Sequence, residues 1–256
     1  MKITIEKIKS MKGNEKISML TAYDYSTARI IDEAGIDIAL IGDSLGMVIL
    51  GYETTQKVTM RDMMGHTGAV ARGIKNAHVV ADMPYKSYDD EENAIKNAKL
   101  LIKAGADSVK TEKKPEIAKT LVESGVNVMG HTGLTPQTIT NFKVQGKDEE
   151  TAEEIKEEAV ALEKAGCYAL ILECIPMNLA KEITKSISIP TIGIGAGPSC
   201  DGQVLVSNDM LGLFTDFKPK FVKRYAELSN EMKKALENYK QEVKEGKFPT
   251  DQFSFH

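Results

Sequence analysis

Cysteine is scarce in this 256-residue chain, and the three present, Cys167, Cys174 and Cys200, are an odd number with no paired spacing. A disulfide framework is therefore not expected, and reduced thiols in a cytosolic protein are the simplest account. The chain also lacks any Cys/His ligand spacing for zinc. No apolar run approaches the roughly 18 residues that a membrane span needs. The stretch Met1-Lys-Ile-Thr-Ile-Glu-Lys-Ile-Lys alternates charge with apolar residues and has no signal h-region, so the expected location is the cytoplasm. Basic charge is not in surplus: 33 basic and 37 acidic side chains leave a net charge of -4. That balance argues against a nucleic-acid partner, which would demand a basic face. Linkers and low-complexity tracts are missing too, so one domain over 1–256 is expected.

What is present is a recurring unit. The run Ile38-Ala-Leu-Ile41 does not alternate, as in a strand buried on both faces of a parallel sheet, and it ends on Gly42-Asp43-Ser44-Leu-Gly46. The unit returns after Gly105 as Ala106-Asp-Ser-Val-Lys110-Thr-Glu112, after Gly125 as Val126-Asn-Val-Met-Gly-His131, and after Gly166 as Cys167-Tyr-Ala-Leu-Ile-Leu-Glu173. Each time a helical pattern stops on Ala-Gly or Ser-Gly, a short apolar run follows, and a polar or ionisable side chain closes it. His78-Val-Val-Ala-Asp82 is a fifth such strand; 17–22 reads as the first, Ile189-Pro-Thr-Ile-Gly-Ile-Gly as a later one, and 204–213 holds the last.

Helical spacing fills the intervals: a short amphipathic helix at 4–12, one capped by Asp24 and running to Ala34, then 59–73, 90–104, 115–124 and 148–165. A long amphipathic pattern over 217–247 places Phe221, Tyr225, Leu228, Met232, Leu236 and Tyr239 on one side, for the barrel wall or a subunit contact. About eight strands alternating with helices in 256 residues predict a closed (β/α)8 TIM barrel with an N-terminal helix and a long C-terminal helix.

In such a barrel the strand ends open on one face, which holds the active site. They deliver Asp43, Ser44, Asp82, Lys110, Glu112, His131 and Glu173. Carboxylates gathered there repel one another, and a divalent cation relieves this; oxygen ligands with open positions suit Mg²⁺. Blander roles exist for each: Asp43 as a helix cap, Lys110 with Glu112 as a salt bridge, His131 as a satisfied structural histidine, and Glu173 as the partner of a nearby amide or lysine. Glu173 follows an apolar strand, where partial desolvation favours a base near neutral pH. Gly193-Ile-Gly195-Ala-Gly197-Pro lacks the dinucleotide fingerprint and reads as a tight loop or a close backbone approach to a ligand.

These residues closely resemble the ketopantoate hydroxymethyltransferase (3-methyl-2-oxobutanoate hydroxymethyltransferase) family. The resemblance rests on Met19-Leu-Thr-Ala-Tyr-Asp-Tyr25, Gly42-Asp-Ser-Leu-Gly46, Val58-Thr59, Ala81-Asp-Met-Pro84, Ala104-Gly-Ala106 leading to Val109-Lys-Thr-Glu112, and Gly130-His-Thr-Gly-Leu-Thr-Pro-Gln137. It continues through Lys143-Val-Gln-Gly146, Leu172-Glu-Cys-Ile-Pro176, Ile192-Gly-Ile-Gly-Ala-Gly197, Asp201-Gly-Gln203 and Ser254-Phe-His256, in family order and over nearly the whole chain. It implies a barrel of the phosphoenolpyruvate/pyruvate type, a homodecamer, and a place in pantothenate and coenzyme A biosynthesis. It also implies a Mg²⁺ site at Asp43, Asp82 and Glu112. Asp43, Ser44, Asp82 and Lys110 match substrate-binding positions, His131 a pocket histidine and Glu173 the proton acceptor.

The implied reaction is hydroxymethyl transfer from 5,10-methylenetetrahydrofolate to 3-methyl-2-oxobutanoate through a Mg-stabilised enolate, giving 2-dehydropantoate (ketopantoate). Three positions depart from the family pattern. The segment after Gln137 is a few residues short and lacks a Gly-Gly-Tyr element, Gln56-Lys57 replaces Leu-Pro, and Asn208 replaces His before Asp209. The first touches a loop near the mouth and so the folate site. Two alternatives stand beside this reading: a Mg-dependent 2-keto acid lyase or mutase of the same barrel group, although the Lys-Lys-Cys-Gly-His type motif is absent, and a non-catalytic scaffold barrel.

Overall fold

The computed structural model describes residues 2–138 and 143–256. The contacts divide the chain into two compact units, Met1–Val206 and Ser207–His256. In the first, eight parallel strands close in chain order. They are β1 (Ile17–Thr21), β2 (Ile38–Ile41), β3 (His78–Asp82), β4 (Ser108–Lys110), β5 (Val128–Gly133), β6 (Ala169–Glu173), β7 (Thr191–Ile194) and β8 (Gly202–Leu205). β8 closes on β1 with Ile17 opposite Gly202. The expected TIM barrel and its N-terminal helix are both found.

The helices of this unit are α1 (Ile5–Met11), α2 (Tyr25–Glu33), α3 (Leu45–Val48), α4 (Met60–Gly73), α5 (Glu91–Ala104), α6 (Pro115–Glu123), α7 (Glu149–Lys164) and α8 (Met177–Ser186). Their starts follow side-chain chemistry. Asp24, Thr59, Asp90 and Asp148 each accept a first-turn N–H, and Thr59 forms a reciprocal box with Asp62. Where α5 stops, Gly105 turns left-handed at φ 116°.

Period-two alternation sorts the strand residues into two layers. Ile17, Met19, Ile38, Leu40, Val80, Met129, Ala169, Ile171, Ile192 and Val204 pack with one another in the barrel lumen. Their neighbours Ala39, Ile41, Val79, Ala81, Val109, Val128, Leu170 and Leu172 pack outward against the helices. Ser108 takes a lumen place in β4, where its hydroxyl bonds His78 Nε2 and Tyr168 OH, both at 2.9 Å. α1 seals the lumen at the strands' amino ends with Ile8 and Met11, both fully buried. Those two side chains contribute roughly 3–6 kcal/mol together.

The alternation of strand and helix fails once. β7 passes to β8 through 195–201 with no helix between. Seven residues reach at most about 23 Å, enough to return along two four-residue strands. Left-handed Gly195 and Gly197 (φ 64° and 80°) make that loop, and a Cβ on Gly197 would sit 2.6 Å from Met177 Cβ. The glycine run is therefore a tight, packed loop.

In the unit Ser207–His256, α9 (Ser207–Met210) precedes α10 (Leu228–Lys244). The expected C-terminal helix is present, but it starts at Leu228 instead of 217. Pro219 brings no N–H to a helix, Val222 N closes a turn onto its carbonyl at 3.0 Å, and Tyr225 N is taken by Met210 O at 2.8 Å. Phe221 and Tyr225 thus lie outside the helix, while Met232, Leu236 and Tyr239 share an exposed face. A groove of about 360 Å³ beside that face, lined in part by Leu213, Met232 and Leu236, holds none of the candidate site residues. Among the described residues no helix is long and apolar enough to cross a membrane.

Candidate active site

The lumen parity carries straight on into the site. Asp82, Lys110, His131 and Glu173 each stand two residues beyond an inward residue: Val80, Ser108, Met129 and Ile171. They therefore project from the carboxyl ends of adjacent strands. Asp82 is in register with Lys110, and Gly133 with Glu173. Glu112 continues the same parity just past β4 and is buried. Asp43 and Ser44 follow β2, where the chain turns at once into α3.

Asp43 does not cap α3, since the helix has no side-chain cap bond. Its Oδ2 accepts from Gln137 Nε2 at 2.8 Å, and its N–H donates to Asp82 Oδ2 at 3.0 Å. Lys110 Nζ lies 3.1 Å from Asp82 Oδ1 and 3.3 Å from His131 Nδ1. The expected alternative, a simple Lys110–Glu112 salt bridge, is replaced by this wider set. His131 stands between two carboxylates, with Nδ1 3.5 Å from Glu112 Oε1 and Nε2 3.1 Å from Glu173 Oε2. Among the four carboxylates Glu173 is the accessible one, with 17% of its side chain exposed against 2–3% for Glu112 and Asp82.

The electrostatics follow from packing three carboxylates with little compensation. Burial, then Asp82 and Glu112, push the Asp43 carboxyl up to about 8. Burial also raises Asp82, although Lys110 opposes it. Burial would raise Glu112 as well, but His131 and Lys110 overcome that and hold it below the ordinary carboxylate range. Burial works against the Lys110 charge; Asp82, Glu112 and Asp43 outweigh it and hold the ammonium above the usual lysine range. Burial and Lys110 disfavour the His131 imidazolium, and Glu112 and Glu173 lift it to about 9.

Three side chains without an expected role join the site. Tyr23 OH bonds Ser44 Oγ at 2.8 Å, and His66 Nδ1 meets the Tyr23 carbonyl at 2.6 Å. Tyr23 stands two beyond Thr21 at the end of β1, so the strand-end rule applied to the first strand would have found it. Tyr88 and Gln137 come from loops, and nothing in local periodicity marks them. Of the departures from the family pattern, Gln56 lies in a short turn and donates to the Gln137 carbonyl at 2.9 Å. Asn208 sits in α9 and accepts from Leu213 and Phe214 N–H through its carbonyl. The shortened segment after Gln137 falls largely on 139–142, outside the described residues.

Among the described residues no three His, Cys, Asp or Glu side chains form a ready-made metal cluster. The donor chemistry nevertheless fits a hard divalent cation. Asp43 is driven toward protonation by burial and then by the Asp82 and Glu112 carboxylates, and added positive charge would oppose both. Asp82 Oδ1 is buried with an ion-pair partner but no aligned hydrogen bond. Mg²⁺ keeps several waters and takes only one or two carboxylates directly, so a closed ligand set is not required.

Compared with known proteins, the chain matches the model of the ketopantoate hydroxymethyltransferase family over residues 2–251. It is 57% identical over 250 residues to the 3-methyl-2-oxobutanoate hydroxymethyltransferase of Enterococcus faecalis, covering 94% of this chain and 91% of that one. Among solved structures it is similar to phosphoenolpyruvate phosphomutase from Streptomyces platensis subsp. rosaceus (TM-score 0.66, 12% identity, 94% and 88% of the two chains). It is also similar to 2,3-dimethylmalate lyase, a PEP mutase/isocitrate lyase superfamily member (TM-score 0.62, 14% identity, 100% and 93%). At such identities these last two speak for the fold alone.

Proposed function

The chain belongs to the ketopantoate hydroxymethyltransferase family, and we propose that its barrel rim moves a hydroxymethyl group from 5,10-methylenetetrahydrofolate to C3 of 3-methyl-2-oxobutanoate, with Glu173 as the base. The observation that carries this reading is the division of labour among the carboxylates. Asp43, Asp82 and Glu112 are buried together around Lys110, whereas Glu173 is set apart behind His131 and is partly exposed. One group is built to neutralise or hold positive charge, and the other can reach a proton.

Asp43, Asp82 and Glu112 would hold Mg²⁺, which when bound supplies Lewis-acid polarisation of the substrate's keto group. The chain's own residues do the rest. Lys110, kept charged by its neighbours, meets the substrate carboxylate. Ser44, aimed by Tyr23, offers a hydrogen bond to the same end of the molecule. Glu173 takes the C3 proton, and His131 holds that carboxylate on its Nε2 side. The deprotonated C3 then forms its new carbon–carbon bond to the methylene carbon of 5,10-methylenetetrahydrofolate. Both carbon–nitrogen bonds of that carbon break, and water supplies the hydroxyl. The C3 proton and one proton of the water end on the two folate nitrogens, and 2-dehydropantoate and tetrahydrofolate leave.

Identity of 57% to a hydroxymethyltransferase weighs against the lyase or mutase alternative, whose support is fold likeness at 12–14% identity. A scaffold barrel gains nothing from burying three carboxylates against one lysine. Assembly as a homodecamer in the cytoplasm belongs to the same proposal; light scattering on the purified chain tests the stoichiometry.

Glu173→Gln is the test of the assignment. The variant should bind 3-methyl-2-oxobutanoate as the parent does and lose product formation by at least 10²-fold. Normal turnover in that variant would place the base elsewhere.

A further inference from the structure

Every polar group of Gln137 is engaged, and the engagements lie on the cation-binding carboxylates. Its Nε2 donates to Asp43 Oδ2 at 2.8 Å and to the Met83 carbonyl at 2.9 Å. Its Oε1 accepts from Tyr88 OH at 2.6 Å. Its backbone N–H donates to Glu112 Oε2 at 3.1 Å, and its carbonyl accepts from Gln56 at 2.9 Å. One buried residue from the loop after β5 thus ties together the ends of β2, β3 and β4.

The direction of these bonds is forced. Glu112 N–H can only donate, and it reaches Tyr88 OH at 3.2 Å. The Tyr88 proton is then free to go to Gln137 Oε1. Met83 O can only accept, so the Gln137 amide nitrogen must face it, and the second amide hydrogen falls on Asp43. A flipped amide would set an oxygen against both a carbonyl and a carboxylate. Tyr88 is held in turn by Lys114, whose Nζ lies 5.0 Å from the ring centroid and 2.7 Å from Asp89 Oδ1. Lys113 and Lys114 are both left-handed (φ 55° and 52°), and it is from this turn that Lys114 reaches the Tyr88 ring.

We infer that Gln137 is a positioning residue for the divalent-cation site, with Tyr88 as its support. By engaging Asp43 Oδ2 and Glu112 Oε2 it fixes the rotation of both carboxylates and leaves Asp43 Oδ1 to face an incoming cation. Supports of this kind, one step behind the ligands, cost 10–100-fold in metal affinity when removed. The inference rests on Asp43, Asp82 and Glu112 being the cation site.

The test is Mn²⁺ alone, titrated into the purified full-length chain, with free Mn²⁺ read by electron paramagnetic resonance. Unfolding in EDTA runs beside it. The parent should bind and Asp82→Ala should bind at least 10-fold more weakly. Gln137→Leu should also lose at least 10-fold, beyond any loss of stability in EDTA, and Tyr88→Phe should shift the same way by a smaller factor. Parent-like Mn²⁺ affinity in Gln137→Leu, with Asp82→Ala impaired, overturns this inference and leaves the cation site standing. Parent-like binding in Asp82→Ala, or none in the parent, removes the site and the inference together. If Gln137→Leu does not fold, Tyr88→Phe decides: affinity within twofold of the parent refutes the positioning role.

Discussion

Gly133→Ala tests whether the end of β5 positions the base at the end of β6. Gly133 pairs with Glu173 across the two strands and is left-handed at φ 94°. A Cβ built there would run into the Glu173 carbonyl oxygen and lie 2.8 Å from Ile175 Cγ2. The first obstacle is backbone and cannot yield by changing a rotamer. The Leu134 N–H to Glu173 carbonyl bond of 2.9 Å sits at the same point and would be strained too. Restoring ordinary contact moves the Glu173 backbone by about 1 Å. Left-handed alanine adds about 1–2 kcal/mol, and with the displaced strand end the total loss of stability is about 3 kcal/mol. For a chain of this length that is a fall in Tm of roughly 6–12 °C. A reacting group displaced by 1 Å costs about 10²-fold in rate. Lys110 and Asp82 stand on other strands and Ser44 follows β2, so the substrate KM should change little. Steady-state transfer and thermal unfolding, measured together, check this. A kcat within threefold of the parent would refute the claim that this strand end sets the base.

Lys110→Met removes the buried cation that faces Asp82 and, in EDTA, should destabilise the fold by about 3–5 kcal/mol. Mg²⁺ at 100 times the variant's Kd should stabilise the variant itself by about 2.7 kcal/mol; a variant equally stable in EDTA and in Mg²⁺, read by denaturant unfolding, would contradict the account. Asp201 accepts from Lys12 Nζ at 3.0 Å, Gly13 N at 3.1 Å and Thr191 N at 2.9 Å. Burial works to raise its pKa, but these donors hold it below the ordinary aspartate value of 3.8. Its contribution is therefore complete above that value and is lost as pH falls through the depressed folded one. Asp201→Asn should cost about 3 kcal/mol at pH 7 and progressively less below pH 4; a penalty independent of pH would exclude the charge as its source.

The barrel was legible because its rules are local. A glycine stop, a short apolar strand and a polar residue at the end recur, and period-two parity then aims Asp82, Lys110, His131 and Glu173 inward whatever the helices do. Caps at Asp24 and Thr59 were equally readable. The missing helix between β7 and β8 was not, since whether 195–201 can return unaided depends on strand length and on Met177 packing against Gly197. The late start of α10 turned on Pro219 and on bonds that Tyr225 N–H and Arg224 donate to the Met210 and Phe214 carbonyls, which no amphipathic pattern records. Tyr88 and Gln137 acquire meaning only when three strand ends meet. In sequence Gln137 is 94 residues from the Asp43 it supports.

Deuterium exchange at C3 of 3-methyl-2-oxobutanoate, followed by NMR without the one-carbon donor, bears most directly on the role given to Glu173. The parent should exchange this hydrogen when Mg²⁺ is present and far more slowly in EDTA, and Glu173→Gln should not exchange it under either condition. Exchange in Glu173→Gln at the parent's rate, or none in the parent with Mg²⁺, would contradict Glu173 as the group that takes the C3 proton.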